Sequence, residues 1–434
     1  MKTDKFIRRI LPAVLLGALL AGAVSCGGDK GGSEDPVAPA TLTLRTNPVT
    51  SEVGSQSATI HATGAWTLSS DQDWLTVCPL KAGEARETAK RSLSGTGDAT
   101  IVYYYTINPG EDARTATLTL KSGSNSVSVV LTQKGLAKIN GQKTAKVGWL
   151  ELPQTDTDDN KYFFTHDMTL GSKSIRNYSF YWDYSNLVSW WVAYPLNAAL
   201  LVKNLPKRSD AWGLDPLLPR AEQQVIHART YTDDSGEKVT RAYFTNANCT
   251  NGSGYTKGHQ IPSADRLYDY SSNAQTFYGT NMTPQNYDFN GGTWEKLEEN
   301  VREWAKKSTT DTLYVCTGCV VSNSGQKVYD HDGKPVAVPT AYFKALLVHE
   351  KSSSHSFDAT GGYSSCAFFF DHAEYSVSGK SGLSKAEVKE LAISVEELEK
   401  KLGYKLFVNL PDKIGADKAS TVKKTDPKTV SWWK

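Results

Sequence analysis

The 434-residue sequence lacks a surplus of charge of either sign: 48 Lys and Arg stand against 46 Asp and Glu, a formal net charge of +2. That balance excludes a chain that holds an acidic polymer with its whole surface, so any anion-binding surface must be local. Cysteine is sparse, at 6 residues. The Cys316-Thr-Gly-Cys319 spacing has neither a second CxxC nor a paired His motif within reach, which argues against a zinc site. Long hydrophobic runs are missing too. The apolar stretch Ile10 to Val24 is short for a membrane span, and with 22% charged and 39% hydrophobic residues the composition is that of packed globular domains. At this length two or more domains are expected.

The N-terminus reads as an address. Lys2, Lys5, Arg8 and Arg9 precede the apolar run, which ends in Ala23-Val24-Ser25-Cys26. Small residues before a Cys resemble a bacterial lipoprotein signal, which implies lipidation at Cys26, a membrane anchor, and residence on the outer membrane or cell surface. The alternative is a cleaved signal peptide followed by a free Cys. The polar, Gly-rich segment 27–39 then serves as a flexible tether. Export implies an oxidising compartment. Cys78, Cys249, Cys316, Cys319 and Cys366 are odd in number, and structural disulfides among Cys249, Cys316, Cys319 and Cys366 are expected.

Residues 40–135 alternate apolar and polar, as in Thr41-Leu42-Thr43-Leu44 and Val127-Ser128-Val129-Val130-Leu131, with Gly, Ser, Asn and Pro turns between. This spacing predicts an all-β, immunoglobulin-like sandwich. Gly64-Ala65-Trp66, Asp73-Trp74-Leu75-Thr76-Val77, Arg114-Thr115-Ala116-Thr117-Leu118 and Val130 to Gly135 resemble the BACON family. That likeness implies glycan contact, with Trp66 and Trp74 as stacking platforms. The competing reading makes both Trp core residues. A linker is expected at 136–148, a second domain at 149–412 and a C-terminal tail at 413–434.

The second domain carries helix and strand signals together and reads as α+β. Trp294, Leu297, Val301, Trp304 and Ala305 form one apolar stripe and predict a helix over Trp294 to Lys307. Ser394 with Glu397 marks the start of another by the capping-box pattern. Leu313-Tyr314-Val315 and Ala345-Leu346-Leu347-Val348 read as buried strands.

Two motifs lie in this domain: Lys257-Gly258-His259-Gln260-Ile261-Pro262-Ser263-Ala264-Asp265, then Asn281-Met282-Thr283-Pro284-Gln285 running into Asn290-Gly291-Gly292-Thr293-Trp294 and Glu298. A neutral imidazole such as His259 is suited to drawing a proton from water near neutral pH. Asn290 can offer an amide oxygen to a hard divalent cation, which keeps most of its waters. Glu298 can hold one of those waters. Arg302, one turn on, shares a helix face with Glu298 and can meet phosphate charge. Together these suit phosphodiester hydrolysis. Each feature alone is ordinary: a structural His, a turn-forming Asn, a surface ion pair.

The joint pattern resembles the DNA/RNA non-specific endonuclease family, whose site is a ββα-metal finger. Lys257, Gly258, His259, Pro262, Ala264 and Asp265 match its first element, Asn281, Pro284 and Gln285 its second, and Asn290, Trp294 and Glu298 its third. The resemblance spans about Trp149 to Asp412, including Trp212 to Pro216 and Val338 to Lys344. It implies His259 as general base and Asn290 as direct ligand of magnesium, with manganese or another divalent cation as substitute. It further implies Glu298 as water-mediated ligand, Arg302 as transition-state stabiliser, Asn281 as an orienting residue, and 5′-phosphate products from DNA and RNA held by their phosphates. Lys257 stands where Arg is usual and Thr256 where Asp is common. Lys257 is expected on substrate phosphate, with Arg208 as an upstream partner. A rival reading is a surface glycan-binding lipoprotein whose nuclease fold is inactive.

Overall fold

The computed structural model describes residues 39–429 apart from 80–88, 109, 111, 136–147, 156–160, 227–228, 233–237, 242, 246–253, 352–359 and 378–379. Cys26, Cys249, Trp432 and Trp433 lie outside the described residues.

The N-terminal part is a sandwich of two four-stranded sheets. One runs Thr41–Leu44, Gly54–His61, Ala99–Tyr105, Leu75–Pro79, and the other Ser92–Thr96, Ala65–Ser70, Arg114–Ser122, Asn125–Gln133. Alternation along each strand turns one row inward: Leu42, Ile60, Leu68, Leu75, Val77, Ile101, Tyr103, Leu118, Leu120 and Leu131 make the core between the sheets. Trp66 belongs to that core and donates its indole N–H to the Gly97 carbonyl at 2.8 Å. Trp74 is half-buried, with the Arg114 guanidinium 4.2 Å above its ring. Of the two readings, the core one describes both: Trp66 is interior, and Trp74 packs against the same core with a cation over its ring.

The second part is built on a six-stranded antiparallel sheet in the order Tyr363–Asp371, Ala341–Glu350, Thr310–Val320, Val188–Leu196, Lys173–Asp183, Lys161–Leu170. Both faces are covered. The helix Glu295–Ala305 lies on one, inserting Leu297, Val301 and Trp304 as its apolar stripe predicts, each worth about 1.5–3 kcal/mol of transfer free energy on full burial. On the other face pack Val395 and Leu398 of the capped helix Val395–Leu402. Ala419 and Val422 of Ala416–Lys424 join them, so packed structure continues past residue 412. Central strands buried on both sides lose the alternation of a half-exposed strand, as in Ala341–Glu350, where nine of ten residues are buried.

The expected disulfides among Cys316, Cys319 and Cys366 are absent. All three thiols are unpaired and buried. Cys316 and Cys319 sit three apart on one strand, so the pleat turns them to opposite faces, Cys316 into the core beneath Val395–Leu402 and Cys319 into the core beneath Glu295–Ala305. Burial pushes all three thiols well up, which leaves them un-ionised and inert.

Candidate active site

Tyr255–His259 and Met282–Asn286 form an antiparallel hairpin in which His259 faces Met282 and Gly258 faces Thr283. The second strand runs directly into a short helical turn, Tyr287–Phe289, a wide π-type turn, Asn290–Trp294, and the helix Glu295–Ala305. Two strands and a helix thus place the base candidate and the metal-ligand candidates on consecutive elements. Gly258 is required by contact: a Cβ there would lie 2.1 Å from the Gln285 side-chain oxygen. Gly292 breaks from helical angles at φ −111°, ψ −107°, and the widened turn lets Asn290 leave the line of the following helix. Asn286 caps the start of that path, its side chain accepting from the amides of Asp288 and Phe289 at 2.9 and 3.1 Å. Its own amide donates to Nε2 of His372 at 2.7 Å, while His372 Nδ1 faces the Pro339 carbonyl, which fixes His372 as the Nδ1-protonated tautomer.

The His259 ring is wedged between Trp212, at 5.6 Å, and Phe277, edge-on at 5.2 Å. Its Nε2 is shielded from solvent and has no hydrogen-bond partner among the described residues. Burial, then the charges of Arg208 and Lys257, push its pKa down to about 3, so the imidazole is neutral across the ordinary pH range and able to accept a proton. Lys257 sits 3.3 Å from the centroid of Trp212 and 4.3 Å from that of Tyr243. Arg208 lies over Phe277 at 4.7 Å and pairs with Asp210 at 2.8 Å. The fold therefore gathers Arg208, Lys257 and His259 round the Trp212 and Phe277 rings.

Asn281 is wholly buried, and among the described residues its side chain hydrogen-bonds to backbone groups. Its side chain donates to the carbonyls of Ile261 and Thr276 at 3.0 and 2.8 Å and accepts from the Ile261 amide at 2.9 Å. Expected as a residue that orients the site, it clamps the segment leaving His259.

On the helix, Arg302 Nη1 lies 3.9 Å from Glu298 and 3.2 Å from Asp265, whose other oxygen accepts from the Tyr194 hydroxyl at 3.0 Å. Burial raises the Glu298 carboxyl, and the negative charge of Asp265 adds to the rise against Arg302 and Lys344. Lys344 is completely buried, donates to Thr317 Oγ1 at 3.0 Å, and is pushed down by burial. Asn290 is partly exposed; its backbone amide donates to the Tyr287 carbonyl, and its side-chain amide enters no hydrogen bond among the described residues. No cluster of three His, Cys, Asp or Glu suited to a metal occurs among the described residues. An amide oxygen without a hydrogen-bond partner among the described residues, together with a carboxylate on the following helix that is crowded by another carboxylate, still fits a hydrated divalent ion held by few protein ligands.

Sequence reasoning did not assign roles to Asp265 and Lys344. Asp265 stands inside the His259 motif and carried a usable signal, whereas Lys344 on a buried strand carried none beyond being a charge in an apolar run.

The sequence matches the profile of the DNA/RNA non-specific endonuclease family over residues 159–413 and that of the BACON family of N-terminal binding domains over 64–134. It is 30% identical over 168 residues to the mitochondrial nuclease EXOG of Xenopus laevis, covering 37% of this chain and 42% of that protein. It is 25% identical over 282 residues to the Danio rerio EXOG, covering 62% and 71%, and 25% identical over 228 residues to the nuclease of Serratia marcescens, covering 52% and 71%. The chain thus spans less than half of the Xenopus protein.

Proposed function

Since this chain belongs to the DNA/RNA non-specific endonuclease family, we propose that it is a divalent-metal-dependent hydrolase of DNA and RNA in which His259 is the general base and the products carry 5′-phosphates. The single observation that carries this reading is the neutral, unpartnered Nε2 of His259 at the end of a hairpin that runs directly into the Asn290 turn. Arg208 and Lys257 take the substrate by its phosphates, so base sequence and sugar matter little. His259 draws the proton from the attacking water at Nε2. Arg302, oriented by Asp265, meets the charge that grows on the phosphate. Asn290 and, through water, Glu298 would hold the divalent ion, magnesium being suited to such an oxygen site. When bound, the ion would supply positive charge against the negative charge that grows in hydrolysis.

The test is cleavage of plasmid and of RNA by the purified chain with magnesium and with a chelator. Products should accept a 5′ label only after phosphatase treatment. Cleavage that persists in chelator, or products labelled without phosphatase, would overturn the assignment. Export and lipid anchoring at Cys26 form part of the same proposal, supported by the basic start, the apolar run and Ala23-Val24-Ser25-Cys26. Cys26→Ser should move the protein from the membrane fraction to the soluble fraction with unchanged specific activity. Retention in membranes would refute the anchor.

A further inference from the structure

The sandwich and the nuclease share a buried ion cluster. His166, on the edge strand Lys161–Leu170, is enclosed by Tyr178, Tyr278 and Phe180 at ring distances of 5.0, 5.3 and 5.6 Å. Both its ring nitrogens meet carboxylates. Nδ1 lies 3.1 Å from Glu52 of the sandwich and Nε2 lies 2.9 Å from Asp215 of the nuclease. A neutral imidazole has one ring nitrogen without a proton, which would face an acceptor with an acceptor, so the ring is held as an imidazolium donating to both. Its pKa is raised to about 10 by the two carboxylates against the opposing effect of burial.

Two paths lead inward from this cluster. Along the first, Asp215 Oδ2 accepts from the Thr280 hydroxyl, and the next residue is Asn281, whose backbone carbonyl accepts from the Gln260 amide at 2.9 Å and whose side chain clamps Ile261. Along the second, Gln275 Nε2 donates to Glu52 Oε2 at 2.9 Å. Asn177 donates to Gln275 Oε1 at 2.6 Å, and Arg266, next to Asp265, donates to Asn177 Oδ1 at 2.5 Å. One path ends beside His259 and the other beside the carboxylate that orients Arg302. Around the cluster, Val53 of the sandwich packs on Ala274 and Tyr278, and Tyr104 meets Tyr270 edge-on at 5.6 Å.

We infer that Glu52 is a positioning residue for catalysis, and that the sandwich, through Glu52, His166, Asp215 and Thr280, holds the His259 hairpin at its working height. The second ligand of His166 comes from outside the nuclease fold, so the nuclease part alone would bury a cation with one partner, a costly arrangement that loosens the Asp215 contact to Thr280. The inference rests on the nuclease reading above.

The full chain is tested as Glu52→Gln, which keeps shape and removes charge, and as Thr280→Val, which breaks the inner link without touching the interface. Cleavage of a fluorescent duplex at saturating magnesium should show kcat lowered about tenfold in each, with KM within about twofold, the signature of a misplaced base rather than lost substrate binding. The double variant should be no worse than the poorer single, because the two act in one path. Hydrogen exchange should quicken in peptides spanning 255–262 and 279–283. Unchanged kcat and unchanged exchange there, with a lower melting temperature alone, would reduce Glu52 to a docking contact and overturn the inference. So would a loss in Glu52→Gln that Thr280→Val does not share. A wild-type chain that cuts nothing in magnesium would instead sink the nuclease reading, and the exchange measurement would still decide this one.

Discussion

His259 illustrates how a residue's surroundings choose its chemistry. An imidazole in water is half-protonated near pH 6.5, whereas this one is held neutral down to about 3, by burial first and then by Arg208 and Lys257. As the proposed base it acts unprotonated, so the acid limb of kcat/KM should follow the pKa of the ring in the free protein. His259→Ala should lower turnover by at least about a hundredfold while binding of a duplex persists, as loss of a general base does. Equal losses of turnover and binding would mark a structural His. Arg208→Ala provides the sign test. Removing a cation raises the His259 pKa, so the acid limb of kcat/KM should move to higher pH in the variant, and a limb that stays put would show that Arg208 does not set the base. The sequence motif identified His259 and Lys257, but Arg208 could be tied to them only by the nearby block Trp212 to Pro216. What joins them is the stacking of three side chains on Trp212 and Phe277, a contact that spacing along the chain does not reveal.

At the level of elements, the ββα unit was legible because each piece leaves a local mark: Gly before His, Pro-Gln in the return strand, an apolar stripe of Leu297, Val301 and Trp304 in the helix. The π-type turn at Asn290–Trp294 left only Asn-Gly-Gly, which reads equally well as a loop. The cysteines misled for a definite reason. Counting and compartment favoured pairing, but the pleat of Thr310–Val320 sends Cys316 and Cys319 to opposite faces, and that is visible only once the strand is known to run through both. For Asn281 the motif suggested an orienting role, and its three bonds to backbone, which the motif does not show, describe how it clamps the segment. Asn281→Ala leaves the Ile261 amide and two carbonyls without partners inside the fold, which should cost about 2–4 kcal/mol in denaturant unfolding. Affinity for magnesium at the proposed metal site should stay within about twofold, because the proposed ligands Asn290 and Glu298 keep their groups. A variant of native stability, or one that loses metal with its stability intact, would contradict the clamp.

Across the whole molecule, a net charge of +2 provides no long-range field toward a polyanion, so the salt dependence of binding should be governed by the local cations beside His259. Contacts such as Glu52 with His166, 114 residues apart, tie the sandwich to this site and lie beyond any reading of local pattern. Lys257 is the cation whose charge depends on its setting. Half-buried between Trp212 and Tyr243, with Arg208 near, it is pushed down to about 8, burial being the largest cause. It is therefore cationic below that pH and neutral above it, and nucleic-acid affinity should fall as the pH rises through about 8. The slope of log affinity against log salt should become shallower by about one contact over the same range, since one fewer phosphate counterion is released. Lys257→Arg keeps its charge at every accessible pH and offers a planar group that stacks on the same rings, so its slope should not change between neutral and alkaline buffer. Lys257→Ala should show the shallow slope at both. Binding of an uncleavable duplex, measured on a His259→Ala background across salt at two pH values, decides the matter, and a wild-type slope that is the same at both pH values would remove Lys257 from the phosphate path.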